Sequence, residues 1–284
     1  MNVTFTQGAT SVDLPLVDEG NTPLFISDLG KPNQDIRDGM GTIDPGVTDE
    51  WSSLRNFNMV GKLFDYDEAI NLADMFKSIF KDVDMTIQPN LPEYDNEIKA
   101  FAQAGNGQAL TLQYDPGYKD YVSVEAGVTQ YSEKGGDHPD AVFNSPRKSG
   151  NGPVQLKIRG KTIDIGTDLQ VTRTVGRPND VFRGQPGGGF PRFYGKAKSA
   201  TDRFSIGFQK LSNGVEAMNT ITKELFEVPL GRNGIGLDFN GVYRLGEFTV
   251  IPEGSASFRQ TRRAGESEVI TVPTLDLRVI KVIG

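Results

Sequence analysis

The sequence predicts a mainly β fold with some α-helix, made of two tandem duplicated domains. Each domain is expected to be a β-sandwich or split barrel with one packed amphipathic helix, which is a β-rich α+β architecture. Glycine (33 residues) and proline (16 residues) interrupt the 284-residue chain too often for long helices. Short segments in which apolar and polar residues alternate are typical of half-buried strands. Segments of the N-terminal half also recur in the same order in the C-terminal half.

A Gly-Lys/Arg-Pro-Asn motif is the clearest repeated segment. The motif at residues 30–33 is followed by Ile-Arg at 36–37, and the motif at 176–179 is followed by Phe-Arg at 182–183, with a constant offset of 146 residues. The exchanges keep charge and apolar character. One such match could arise by chance, whereas several matches in one order favour an internal duplication.

Three further pairs of segments match in the same order. Each half is expected to begin with a hairpin, to continue with a strand before its helix, and to end in a second hairpin. The strand pairs are residues 11–14 and 162–165, which follow short strands at 3–6 and 154–158; residues 57–60 and 204–207; and residues 110–114 with 121–124, which match 235–239 with 248–251.

A helix follows the middle strand in each half. The first helix contains Glu-Ala-Ile-Asn at 68–71 and the second contains Glu-Ala-Met-Asn at 216–219. Apolar residues then recur at spacings of three and four, which predicts a single apolar stripe on each helix. The stripes consist of Ala69, Leu72, Phe76 and Ile79 in the first helix, and of Met218, Ile221 and Leu225 in the second.

The offset falls to about 125–127 residues at the last pair of segments, which predicts an insertion at about residues 82–107. That stretch holds prolines and glycines without a clear period, so it is interpreted as a long loop. Residues 136–152 have the Gly-, Pro- and Ser-rich composition of a linker. The predicted domains are therefore residues 1–135 and 153–284.

Composition excludes several classes of partner. The net charge of −7 at pH 7 is opposite to what binding to nucleic-acid phosphates requires. The basic segment at residues 259–263 is interpreted as a solvated strand edge. The sequence contains no run of 18 apolar residues, so it predicts no membrane-spanning helix. Residues 1–10 lack the pattern of a secretory signal. The absence of cysteine excludes disulfides and thiolate chemistry.

Residues suited to catalysis or to metal binding are scarce, so the chain is predicted not to be an enzyme and to bind no cofactor. His138 is the only histidine, and without cysteine it cannot build a transition-metal site. Asp65, Asp67 and Glu68 could offer oxygen ligands to calcium, but the helix dipole already explains acidic residues at a helix start. The glycines at 187–189 lack the Lys-Ser/Thr pair of a phosphate-binding loop.

Aromatic and basic residues concentrate around this glycine run. These residues could form a surface that binds a sugar or a protein. They could also form core contacts or a subunit interface, and this second interpretation is favoured. Its members are Phe182, Arg183, Phe190, Arg192, Phe193 and Tyr194.

The order of hairpin, motif-bearing loop, strand, helix and closing hairpin resembles the tail-tube fold shared by the tube, distal-tail and baseplate-hub proteins of tailed viruses. The resemblance covers nearly the whole chain and is nearest to tail proteins of viruses that infect haloarchaea. Because tube-fold domains generally close into rings of six, it implies a trimer with pseudo-sixfold symmetry around a DNA-conducting lumen. It also implies assembly in the host cytoplasm and a final location in the virion tail.

The resemblance further implies which partners the chain meets. These are other copies of the chain, other tail proteins stacked above and below, and DNA as a transient passenger in the lumen, with no membrane. The motif residues expected at contacts between subunits are Lys31, Pro32, Asn33, Arg37, Arg177, Pro178, Asn179 and Arg183.

Alternatives stay open within and outside this family. Within it, the sequence does not separate a tube subunit from a distal-tail or baseplate-hub ring protein. A carbohydrate-binding pair of β-sandwiches would use exposed aromatic residues at 182–194. A hydrolase would need two carboxylates in one cleft, and no such pair stands out in the sequence.

Overall fold

The computed structural model confirms a mainly β chain with two α-helices. The residues that it describes are 1–17, 24–28, 55–77, 85–89, 98–102, 109–117, 120–130, 144–176, 181–182, 192–193, 201–208, 214–227, 234–254, 256, 258–261 and 269–282.

The described part of the N-terminal half contains eight strands and one helix. They are β1 (Asn2–Gln7), β2 (Thr10–Pro15), β3 (Leu24–Asp28), β4 (Arg55–Leu63), α1 (Tyr66–Lys77), β5 (Met85–Pro89), β6 (Ile98–Ala102), β7 (Leu110–Tyr114) and β8 (Val122–Gln130).

The described part of the C-terminal half contains ten strands, the second helix, a π-helical turn at Lys223–Glu227 and a 3₁₀ turn at Val242–Arg244. The strands and the helix are β9 (Val154–Ile158), β10 (Lys161–Gly166), β11 (Leu169–Gly176), β12 (Val181–Phe182), β13 (Arg192–Phe193), β14 (Thr201–Phe208), α2 (Gly214–Thr222), β15 (Ile235–Asp238), β16 (Glu247–Pro252), β17 (Arg259–Thr261) and β18 (Val269–Val282).

A continuous run of eight antiparallel strands crosses the molecule in the order β3-β4-β8-β7-β11-β14-β18-β17. The first four strands come from the N-terminal half and the last four from the C-terminal half. Among the described residues, the end strands β3 and β17 each pair with one other strand. The run therefore consists of two four-strand blocks that meet where β7 pairs with β11.

Each block carries a side branch of four strands. Beyond the residues that pair with β7, β8 pairs with β6, and the branch continues through β5 and β1 to β2. Likewise β18 pairs with β16, and the branch continues through β15 and β9 to β10. The pairings of the N-terminal half thus recur, strand for strand, in the C-terminal half, with β12 and β13 as an additional pair.

Two strands lie in the segment that was interpreted as a loop, residues 82–107, and this interpretation is wrong for both. β5 alternates buried and partly buried residues and pairs with β1 on one side and β6 on the other. Five residues per strand give too short a period to detect, and Pro89 falls at the end of β5, where proline is tolerated. The expected match between 110–114 and 235–239 also fails, because β15 pairs with β9 as β5 pairs with β1, whereas β7 pairs with β11.

Both predicted helices are present with their apolar stripes against the core. In α1, Ala69, Leu72 and Phe76 are buried, while in the second helical segment Ile221 and Leu225 are buried. Met218 is partly buried and packs on the same core, whereas Ile79 lies outside the described residues. Acidic residues in the first turn of α1 and Lys77 in its last turn suit the helix dipole.

The described part of the predicted linker is held in place by hydrogen bonds. Residues 144–152 lie along the turn that joins β15 to β16, where the backbone N–H of Lys148 donates to the Arg244 carbonyl and that of Gly246 donates to the Pro146 carbonyl. Lys148 Nζ also lies 3.1 Å from Asp238 Oδ2. This part of the chain therefore belongs to the packed structure.

Candidate assembly interface

The contact between the two blocks is an antiparallel strand pair. β7 and β11 pair over five positions, from Val171 opposite Tyr114 to Val175 opposite Leu110. The pair Thr172 and Gln113 lies on the outer face, where Thr172 is partly buried and Gln113 is exposed. The two halves of the chain are thus joined by backbone hydrogen bonds.

A buried ion pair lies on the inner face of this contact. Arg173, fully shielded from solvent, donates from Nε to Asp202 Oδ1 at 2.9 Å and from Nη2 to Asp202 Oδ2 at 2.6 Å. The guanidinium carbon lies 5.2 Å from the Phe204 ring centroid and 5.5 Å from that of Phe248. This two-point geometry fixes β11 against β14 and orients both side chains.

Three more polar residues connect this ion pair to α1 and to the predicted linker. Lys77 Nζ donates to Asp202 Oδ2 at 3.1 Å and to Ser145 Oγ at 3.0 Å, and it lies 3.1 Å from Asp74 Oδ1. Ser145 Oγ in turn donates to Asp74 Oδ1 at 2.6 Å. We call Lys77, Asp74, Ser145, Arg173 and Asp202 the junction cluster.

Asp202 and Arg173 keep their charges despite burial. Burial alone would raise the pKa of the Asp202 carboxyl, but Arg173 and Lys77 outweigh that effect and lower this pKa to about 2. Burial alone would lower the pKa of Arg173, whereas Asp202 raises it above its ordinary value. Because both carboxylate oxygens are engaged and the group is buried, its geometry suits a structural clamp and not contact with a substrate.

Two buried polar atoms at the cluster, Tyr114 Oη and Arg173 Nη1, make no hydrogen bond of standard geometry with the described residues. Burial also raises the pKa of the Tyr114 hydroxyl, which therefore stays protonated. A buried hydroxyl without a partner has lost its hydrogen bonds to water without gaining others, so removing it costs no hydrogen bond. We expect Tyr114→Phe to leave the free energy of unfolding, measured by urea denaturation, unchanged or raised by up to about 1 kcal/mol.

Tyr243→Phe is the matched comparison for this prediction. Tyr243 Oη donates to the Leu169 carbonyl at 2.7 Å, and its ring centroid lies 4.8 Å from that of Tyr114. Removing this hydroxyl deletes a buried hydrogen bond and should cost about 1–2 kcal/mol. A larger loss for Tyr114→Phe than for Tyr243→Phe would contradict the assignment.

The eight motif residues predicted at subunit contacts lie outside the described residues, as do His138 and the glycines at 187–189. Backbone pairing places Val181–Phe182 against Arg192–Phe193 in the strand pair β12–β13. Asp65 Oδ1 accepts the backbone N–H of Asp67 at 2.8 Å, so this carboxylate acts at the start of α1. The described residues contain no group of three or more His, Cys, Asp or Glu suited to hold a metal ion.

The junction cluster was not predicted from the sequence. One signal was present, because Arg173 occupies a core-facing position between Val171 and Val175 in an alternating strand. A basic residue at such a position must be paired if it is buried. Its partners, Asp202 and Ser145, lie 29 and 28 residues away along the chain, and only the fold brings them together.

No protein-family model matches this chain, and no curated protein matches it either. Neither described helix has the length and apolar composition needed to cross a membrane. The strand order and the geometry of the junction are therefore the features that bear on function.

Proposed function

We propose that the chain is a non-enzymatic structural subunit that assembles with copies of itself into a ring. The observation that carries this proposal is the eight-strand run, in which two blocks of identical pairing order follow one another and each end strand pairs with one strand among the described residues. A contact that joins the first block to the second within a chain can also join the second block to the first block of another chain. Such head-to-tail contacts form a ring when the rotation between blocks closes.

The proposal includes an internal duplication, with each half descended from one ancestral unit. The common pairing order supports it, as do the repeated Gly-Lys/Arg-Pro-Asn motif and the similar helices. In this correspondence β5 and β6 are counterparts of β15 and β16, so residues 82–107 are not additional. Six units around the ring would then require three chains.

The resemblance to tail-tube proteins supports the further proposal that the ring belongs to a viral tail, either as a repeating tube subunit or as a distal-tail or baseplate ring. Its partners would be other copies of the chain and the tail proteins above and below. The net charge of −7 suits a lumen through which DNA passes without binding, because such a surface releases no counterions from the DNA.

The mass of the purified protein in solution, measured by light scattering, together with negative-stain images, tests this proposal. We expect a mass equal to that of three chains, and particles with a central hole that are either single or stacked. Stacks would favour a tube subunit, whereas single rings would favour a tail-tip protein. A monomer at all concentrations would refute the ring, and saturable sugar binding by that monomer would favour the carbohydrate-binding alternative.

A further inference from the structure

We infer that neighbouring copies join by antiparallel pairing of β3 in one copy with β17 in the next, in the register that β7 and β11 use within the chain. This inference rests on the proposed ring and specifies its contact. The partner is a second copy of this chain, because the strands at both ends of the run correspond to strands that already pair with each other internally. The side branches end at β2 and β10, but the internal junction uses neither of them.

The first correspondence aligns β3 with β11. β3 pairs with β4 so that Ile26 is opposite Phe57, and β11 pairs with β14 so that Arg173 is opposite Phe204. Phe57 and Phe204 begin the matching strand segments of the two halves, and both are fully buried. Residues of β3 therefore correspond to residues of β11 that lie 147 positions later, so that Phe25 takes the place of Thr172.

The second correspondence aligns β17 with β7. In the first half, Val124 of β8 is opposite Gly61 of β4 on one side and opposite Leu112 of β7 on the other. In the second half Phe208, which lies 147 positions after Gly61, is opposite Val272.

Arg259 is opposite Thr271, so one further step of the same register puts Phe258 opposite Val272. Phe258 is partly buried and packs on the core, as its counterpart Leu112 does. Arg259 therefore takes the place of Gln113, and Gln260 that of Tyr114.

Together the two correspondences give the register of the contact. The internal pair Thr172 and Gln113 becomes Phe25 opposite Arg259 of the next copy, and the pair Val171 and Tyr114 becomes Leu24 opposite Gln260. Leu24 is already partly buried against the core, so the added strand would extend a face that the chain has built. Strand addition would pair the backbone of β3 with that of β17, as in other assemblies that join through edge strands.

A disulfide trap tests this register, because the chain has no cysteine of its own. Opposed residues of an antiparallel pair have Cα atoms about 4.5–5.5 Å apart, within the range that a disulfide spans. The test variant is Phe25→Cys with Arg259→Cys in the full-length chain. After mild oxidation we expect covalent rings of three chains on a non-reducing denaturing gel, and their loss on reduction.

Two control variants frame this test. Thr172→Cys with Gln113→Cys places the pair at the internal junction and should close within one chain, which shows that this pair type accepts a disulfide. Phe25→Cys with Gln260→Cys is one residue out of register, so the two thiols face opposite sides of the sheet and should give at least tenfold less covalent product.

The outcomes separate this inference from the ring itself. Rings in the images without covalent product, while the internal pair closes, would overturn the register and leave the ring standing. Absence of any oligomer for the unmodified chain would refute both. If the double variant does not assemble, an equal mixture of the two single variants gives the same readout, because covalent dimers should form in the mixture and in neither variant alone.

Discussion

Replacing Asp202 with asparagine is expected to lower the free energy of unfolding by about 3–5 kcal/mol. The substitution keeps the size of the side chain but removes the carboxylate that lies 2.6 Å from Arg173 Nη2, and the same carboxylate lies 3.1 Å from Lys77 Nζ. Arg173 cannot lose its proton, so its charge would remain buried and uncompensated. Urea denaturation monitored by circular dichroism would measure the loss.

Asp164→Asn is the matched control. Asp164 is exposed, and its Oδ1 accepts from Gln155 Nε2 at 2.8 Å, a role that an amide oxygen can also fill. We expect a change within about 0.5 kcal/mol, as for most surface substitutions. Similar losses for both variants would contradict the importance of the junction cluster.

The pH dependence of stability gives a second readout for Asp202. The carboxyl has a pKa of about 2 in the folded chain and a higher, ordinary pKa when unfolded. The unfolded chain therefore binds a proton first as pH falls, and this part of the stability is present above pH ~4 and lost towards pH ~2. The Asp202→Asn variant should lack this component, so its deficit against the parent chain should shrink as pH falls through that window.

Gly241→Ala has the second largest expected effect, a loss of about 3 kcal/mol. Gly241 has a φ of 87°, a left-handed conformation that alanine adopts at a cost. An added Cβ would also meet the backbone N of Gly150, and would lie 2.7 Å from both the Gly150 carbonyl oxygen and the Ser149 carbonyl carbon. Backbone atoms on a hydrogen-bonded segment cannot move aside easily, so strain and crowding add. Thermal unfolding followed by circular dichroism would detect the change.

Gly160→Ala separates these two causes. Gly160 also has a positive φ, 78°, but an added Cβ meets nothing within 4 Å. We expect about 1 kcal/mol for the backbone strain alone. Equal losses at both positions would show that residues 144–152 do not press on the turn as closely as described.

Much of the fold could be read from local sequence. The hairpins at 3–14 and 154–165, the strands at 57–60 and 204–207, and both helices each carry a period that local physics imposes. β5 and β6 were not predicted as strands, because five-residue strands beside proline and glycine resemble loops. Which strand pairs with which depends on long-range contacts, so β7 was matched to β15 by residue type although β17 holds the corresponding place in the pairing order.

Less of the candidate site than of the fold could be predicted from the sequence. The motif residues drew attention because they repeat, yet the charged groups that join the halves do not repeat at all. Ile26 occupies the position in β3 that Arg173 occupies in β11. Lys77 stands nine residues after Glu68, and Leu225 stands nine residues after Glu216, so an apolar residue occupies the position of Lys77 in the second half. A comparison of the two halves could not reveal this cluster, because these positions are where the halves differ.

The meeting of β7 with β11 inside one polypeptide has a kinetic consequence for the proposed ring. A closed circle of six units needs six joints, and three of them would form during folding at an effective concentration that dilution does not affect. Of the remaining three, two would form when separate molecules meet, and the third would close the arc on itself. Tethering units in pairs therefore lowers the number of bimolecular encounters from five to two and leaves fewer incomplete arcs with unpaired ends.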